Sequence, residues 1–176
     1  MKKALMMAGM LMLAGTVYAG EGYIKDNTKL PELKMPGNKL SFDEIKGYGD
    51  YKVMATHFRT DKNELRYILA NTIAYNAMIN KKKVMPEGSK IVKIGWSVKK
   101  MPLYPAALEA DKLQRVEYMV KDSKNFNSNG DNWGYARFVK KDGKYVAWDK
   151  GTKGCISCHS AAANNDFLFT RLQDKF

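Results

Sequence analysis

Cysteine and histidine are scarce in this chain: of its 176 residues only two are cysteine and two are histidine. With Cys155 and Cys158 as the whole thiol complement, no third or fourth thiolate exists to complete a zinc or iron–sulfur site. A disulfide between them would close a loop too small to stabilise much. A redox dithiol of the thioredoxin kind opens a helix after a strand near the start of its domain, whereas this pair lies close to the C-terminus. Long apolar runs are also lacking, and beyond the first 19 residues no stretch is apolar enough to cross a bilayer. There is no internal repeat and no low-complexity linker. No arginine-rich, aromatic stripe accompanies the net charge of +12, so the lysines read as a solvated surface and not as a nucleic-acid interface.

What is present is more specific. The run Cys155-Ile156-Ser157-Cys158-His159 places two thiols where each can add to one vinyl group of a haem, with an imidazole directly after the second thiol to serve as an axial iron ligand. That is the attachment signature of a c-type haem. Export agrees with it, because such haems are attached outside the cytoplasmic membrane. Residues 1–19 carry Lys2 and Lys3, then a short Leu-, Met- and Ala-rich run, then Val17-Tyr18-Ala19 with small residues where a signal peptidase reads. The expectation is a cleaved signal peptide at 1–19 and a periplasmic location. Loss of Lys2 and Lys3 would leave +10 of the +12.

Along the chain, residues 20–40 are polar, with Pro31, Pro36 and Gly37, and predict an extended N-terminal arm; residues 41–176 predict a single haem-binding domain. Ser41 with Glu44 has capping-box spacing and predicts a short helix ending by Gly47 or Gly49. Residues 51–59 alternate as a strand. Asp61 with Glu64, then Leu65, Ile68, Leu69, Thr72, Ile73 and Asn76, predict a long helix to about Asn80. Pro86-Glu87-Gly88-Ser89 predicts a turn, and strands follow at 90–99, 114–121, 133–140 and 144–148, the last two joined by Asp142-Gly143 as a tight hairpin. A helical turn or two is expected around the haem motif. The sum is an α+β fold: an antiparallel β-sheet with flanking helices and a C-terminal c-type haem attachment segment.

Several stretches together resemble the cytochrome P-460 family and its relative cytochrome c′-beta. They are His57-Phe58-Arg59-Thr60-Asp61 through Leu65-Arg66-Tyr67-Ile68-Leu69-Ala70-Asn71, the Pro86 to Ser89 turn with Ile91-Val92-Lys93, Glu117 through Asp122, Trp133-Gly134, and Cys155 to His159 followed by Asp166-Phe167-Leu168-Phe169-Thr170. The resemblance implies an antiparallel-sheet haem protein, usually a homodimer, with one haem c on Cys155 and Cys158, His159 on a five-coordinate iron, and an open face for small nitrogen species. In the enzymatic branch a lysine is bonded to the haem ring and hydroxylamine is oxidised by way of nitric oxide, the electrons leaving to a soluble acceptor cytochrome. The c′-beta branch lacks that bond and binds nitric oxide or carbon monoxide.

Lys93 shares a strand face with Ile91, Gly95 and Ser97, which leaves room for a flat macrocycle, and a desolvated amine there is a competent nucleophile. Its place after the turn resembles that of the family's cross-linking lysine, with Lys90 as the competing alignment. Glu117, on the face opposite Val116, Tyr118 and Val120, resembles the distal carboxylate that would take protons from hydroxylamine; a slip of register would put Met119 there instead. Arg66, expected on the long helix, resembles a pocket arginine that would hold a propionate or a ligand. His57 is expected to be structural, although an electron-transfer haem would need it or a methionine such as Met119 as sixth ligand. Trp96, Trp133 and Trp148 are expected in the core or the haem wall.

Overall fold

The computed structural model describes residues 32–173. The expected signal peptide and residues 20–31 of the expected arm lie outside the described residues. Six strands form one antiparallel sheet in chain order: β1 (Lys52–Arg59), β2 (Glu64–Ala70), β3 (Lys90–Lys100), β4 (Leu108–Lys121), β5 (Trp133–Lys141) and β6 (Lys144–Ala147). Three α-helices accompany them, α1 (Thr72–Ile79), α2 (Ser123–Phe126) and α3 (Gly151–His159). The fold is α+β, as the patterning predicts. The β5–β6 hairpin turns on Asp142 and Gly143, both with positive φ (49° and 77°), which is the geometry a primed hairpin turn demands.

One expectation fails. The long helix over residues 65–80 is instead strand β2 followed by a two-turn helix that begins only at Thr72. Asn71 is the true cap, its side chain accepting from Ala74 N at 3.0 Å and from Lys90 N at 3.0 Å. Leu65, Ile68, Leu69 and Thr72 fit a helical stripe, yet Leu69 and Ile68 in fact face opposite sides of the sheet, each into its own core. A strand buried on both faces loses the alternation that would mark it. Arg66 is therefore a strand residue, not a helical one.

The capping box also fails in detail. Phe42–Ile45 is a 3-10 helix, and Ser41 makes no cap hydrogen bond; its hydroxyl donates to the Asp43 carboxylate, while Glu44 pairs with Lys90 at 3.0 Å. Residues 34–41 form a turn closed by Met35 N donating to Leu40 O at 2.8 Å, with Met35 buried. Strand β4 begins at Leu108, earlier than expected, so the β3–β4 hairpin is longer than its apolar residues suggest.

The sheet separates two cores. On one face Leu69, Val92, Ile94, Val116, Tyr118 and Phe138 pack against Phe42, Ile45 and Tyr48. On the other, Ile68, Ile91, Met119, Trp133 and Tyr135 pack against α1 and against Cys155, Ile156, Phe167 and Leu168 from the C-terminal segment. A bulge between Val53 and Ala55 turns Met54 into that second core, which strict alternation could not foretell. The chain then returns to β1, where Gln173 N donates to Met54 O at 2.9 Å and Gln173 Oε1 accepts from Thr56 N at 3.0 Å, covering part of the edge.

Candidate functional site

Helix α3 presents Cys155, Cys158 and His159 at i, i+3 and i+4, within one side of the helix. It packs on β5, and its Gly154 lies against Trp148, just beyond β6, so closely that a Cβ would come 2.9 Å from that ring. Trp148 in turn lies under the Arg137 guanidinium, 4.0 Å from its ring centroid. Glycine at 154 thus sets how near the haem motif comes to Trp148. Neither thiol is in a disulfide, and burial pushes the Cys155 thiol up to about 11.

Between α3 and the sheet lies a mostly apolar pocket that opens to solvent. Its walls are Met54, Ile68, Ile91, Met119, Leu168 and Phe169, with Lys93, Glu117, Arg66, Arg137 and His57 as the polar members and Cys155 and His159 at the helix side. The alternation of β2, β3, β4 and β5 aims Arg66, Lys93, Glu117 and Arg137 at the same face. Register makes Arg66 opposite Gly95, Lys93 opposite Glu117, and Glu117 opposite Arg137.

The charges form a ladder. Lys93 and Glu117 are ion-paired across the strands, Arg137 Nε lies 3.2 Å from Glu117 Oε1, and Arg115 Nη1 lies 3.7 Å from the same oxygen. Arg66 and Arg115 both pair with Glu64, whose side chain is buried. Burial alone would raise the Glu117 carboxyl, but Lys93, Arg137 and Arg115 together outweigh it and hold the group below the ordinary carboxylate range. Glu117 Oε1 and Arg137 Nε are buried with no hydrogen bond between or around them, so the floor retains unspent polar capacity facing the pocket.

His159 has a defined tautomer. Its Nδ1 is 2.7 Å from Phe167 O, and a carbonyl can only accept, so Nδ1 carries the proton and Nε2 keeps its lone pair. Burial lowers its affinity for a second proton, which keeps the imidazole neutral. Tyr135 and Phe169 pack on the ring at centroid distances of 4.8 and 5.1 Å.

These residues fit a haem: an apolar slot, a thiol on its wall, a histidine with one ring nitrogen committed and the other free, and cations for its carboxylates. Among the described residues no three His, Cys, Asp or Glu side chains gather as they would around a bare metal ion. A family model described as Cytochrome P460 matches residues 45–170. The chain belongs to the cytochrome P460 family. As a P460 family member it is a c-type haem protein. No curated protein matches it.

With the P460 fold in hand, the sequence-derived site residues can be located. Cys155, His159, Lys93, Glu117 and Arg66 all line the one pocket. Cys158 is exposed on the same side of α3, outside the lining set. Lys90 belongs to the opposite face, its amine on Glu44, so of the two competing lysines only Lys93 reaches the pocket. Met119 and Glu117 both line it. His57, expected to be structural, is a wall residue on β1, with its proton affinity lowered by burial and then by Arg66 and Lys93. Sequence reasoning missed Arg137 and Arg115. Alternation from Trp133 and Tyr135 would have flagged Arg137 as a charge on a buried strand face. Arg115, two residues before Glu117, carried the same signal.

Proposed function

We propose that this cytochrome oxidises hydroxylamine at a five-coordinate haem c in the periplasm, with Cys155 and Cys158 as thioether anchors, His159 as the iron ligand and Lys93 bonded to the ring. The observation that carries the proposal is the Lys93–Glu117 pair, which puts an amine and a carboxylate together on the wall of the pocket that holds Cys155 and His159. The haem, when bound, supplies the site that takes up electrons. Oxidation of NH₂OH to NO releases three protons and three electrons; the electrons leave to a soluble acceptor cytochrome and the protons need an acceptor within reach of the substrate.

Glu117 is the carboxylate for that task, and Lys93 controls it. While the Lys93 ammonium is present, Glu117 is tied in an ion pair and is a weak base. Were the amine nitrogen bonded to a ring carbon in place of that carbon's hydrogen, with two protons released and two electrons taken by a peroxide-class oxidant, that cation would be lost and Arg137 and Arg115 would be the remaining partners. The carboxyl's proton affinity then rises towards the range a general base needs. Arg66, paired to Glu64, is held at the pocket wall to bind a haem carboxylate or the substrate oxygen. A homodimer is the assembly the family resemblance implies.

The test is hydroxylamine-dependent reduction of an acceptor cytochrome by the purified holoprotein. Turnover that disappears in Lys93→Ala supports the proposal, and absence of turnover in the wild type contradicts it. A second reading, a binder of nitric oxide or carbon monoxide, is favoured by one observation: Met54, Ile68, Ile91 and Met119 give the pocket an apolar wall, and the intact ion pair leaves no free base. Tight gas binding with no turnover would select it.

A further inference from the structure

Lys121 is the last residue of β4 and, by alternation from Glu117 and Met119, points into the core beneath the haem motif. Its side chain is 5% exposed and that of Asp166 is 7%. A buried ammonium is costly unless its protons are spent, and here they are. Lys121 Nζ donates to Asp166 Oδ1 at 2.8 Å and to Asp131 O at 3.0 Å, and lies 4.9 Å from the Trp133 ring centroid. The second Asp166 oxygen accepts from Met85 N at 2.7 Å, and the Asp166 carbonyl accepts from Trp133 Nε1 at 3.1 Å. Asp166 is thereby held from β4, from β5 and from the segment before the Pro86 turn.

Asp166 is also where the backbone reverses. It and Phe167 are consecutive non-glycine residues in the left-handed region, with φ of 50° and 62°. Such a conformation persists only where the surroundings over-determine it. The Phe167 carbonyl, aimed by this reversal, is the acceptor for His159 Nδ1 at 2.7 Å. Asp131, the other residue Lys121 touches, caps Trp133 N at 2.8 Å and accepts the Tyr135 hydroxyl at 2.5 Å, and the Tyr135 ring packs on His159.

We infer that Lys121 and Asp166 are positioning residues for the proximal ligand: their buried ion pair pins the reversed turn whose carbonyl fixes the tautomer, ring plane and basicity of His159. This rests on His159 being the iron ligand. A buried ion pair adds little stability over well-packed apolar side chains, but it is directional, and both of its ends lead to the same imidazole. A hydrogen bond from the far ring nitrogen raises a histidine's strength as a ligand, which is the property the pair would control.

The test uses the holoprotein and the variants Lys121→Met, Asp166→Asn and the double variant, read by the iron–histidine stretching frequency of the ferrous form, the reduction potential and thermal unfolding. Each variant is expected to keep its haem covalently attached by mass, with the stretching frequency lowered and the potential raised. In the double variant no charge is left unpaired, so thermal stability should recover while the frequency stays low. Frequency and potential equal to the wild type in every folded variant would overturn the inference, whatever the stability. On the wild type itself, the His159 Nδ1 proton in the cyanide-ligated ferric form should exchange slowly with solvent by NMR; fast exchange overturns the inference even if no variant folds. A wild type with no iron–histidine mode at all would instead overturn the ligand assignment.

Discussion

Lys93 and Glu117 are register partners across β3 and β4, and their side chains form an ion pair on the wall of the pocket that Cys155 and His159 also line. Lys93→Ala is expected to give the spectrum of an ordinary high-spin haem c, to abolish hydroxylamine turnover and to leave small-ligand binding intact. Glu117→Gln should keep the spectrum and slow oxidation by about a hundredfold, as for loss of a positioned proton acceptor. Optical spectra and steady-state kinetics on the two variants separate the roles.

Acid should weaken the fold in two stages. The folded His57 takes a proton less readily than its ordinary value of 6.5, mainly through burial. The unfolded chain therefore binds a proton that the folded chain refuses, and stability falls as pH drops below about 6.5. Glu117 is held below its ordinary 4.5, so its stabilisation is present above that value and is lost as pH falls through the lower folded value. Urea unfolding at stepped pH should show a shallower decline between about pH 7 and 5 in His57→Gln, and unchanged behaviour there in Glu117→Gln.

Gly134 is required by its neighbour. A Cβ there would fall on the Phe126 ring, 2.6 Å from Cζ, and Phe126 is buried. Gly134→Ala should cost about 1–3 kcal/mol by denaturant unfolding, and Phe126→Leu in the same chain should return part of it.

His159→Ala should leave the haem attached, since the thioethers do not depend on the imidazole once formed, while the iron loses its fixed ligand. Mass spectrometry checks the first part and ferrous ligand-binding spectra the second. Retention of normal spectra would point to His57, which also lines the pocket.

Much of the sheet was legible because β1 and β6 keep a loose alternation, the Pro86 to Ser89 turn marks the start of β3, and Asp142-Gly143 announces the β5–β6 hairpin. The haem motif was legible because its chemistry needs specific residues at fixed spacing. Strand β2 was not, since Leu69 and Ile68 are both buried on opposite faces and mimic a helical stripe. The polar floor was only half legible: Lys93 and Glu117 could be placed by alternation, and so could Arg115 on the same strand face as Glu117, but Arg137 reaches Glu117 only through strand pairing. Likewise nothing local in Lys121 tells that it meets Asp166, which is 45 residues away. Such partners are set by register and by the path of the C-terminal segment, which a linear pattern does not carry.

The most direct test of a lysine-modified, hydroxylamine-oxidising haem is the optical spectrum of the reduced, ligand-free holoprotein. A Soret band strongly displaced to the red is predicted, because a bond from Lys93 alters the ring's own electronic structure. An ordinary high-spin band would contradict the cross-link and leave the gas-binding reading. A sharp low-spin pattern would contradict both and make His57 or Met119 the sixth ligand of an electron carrier.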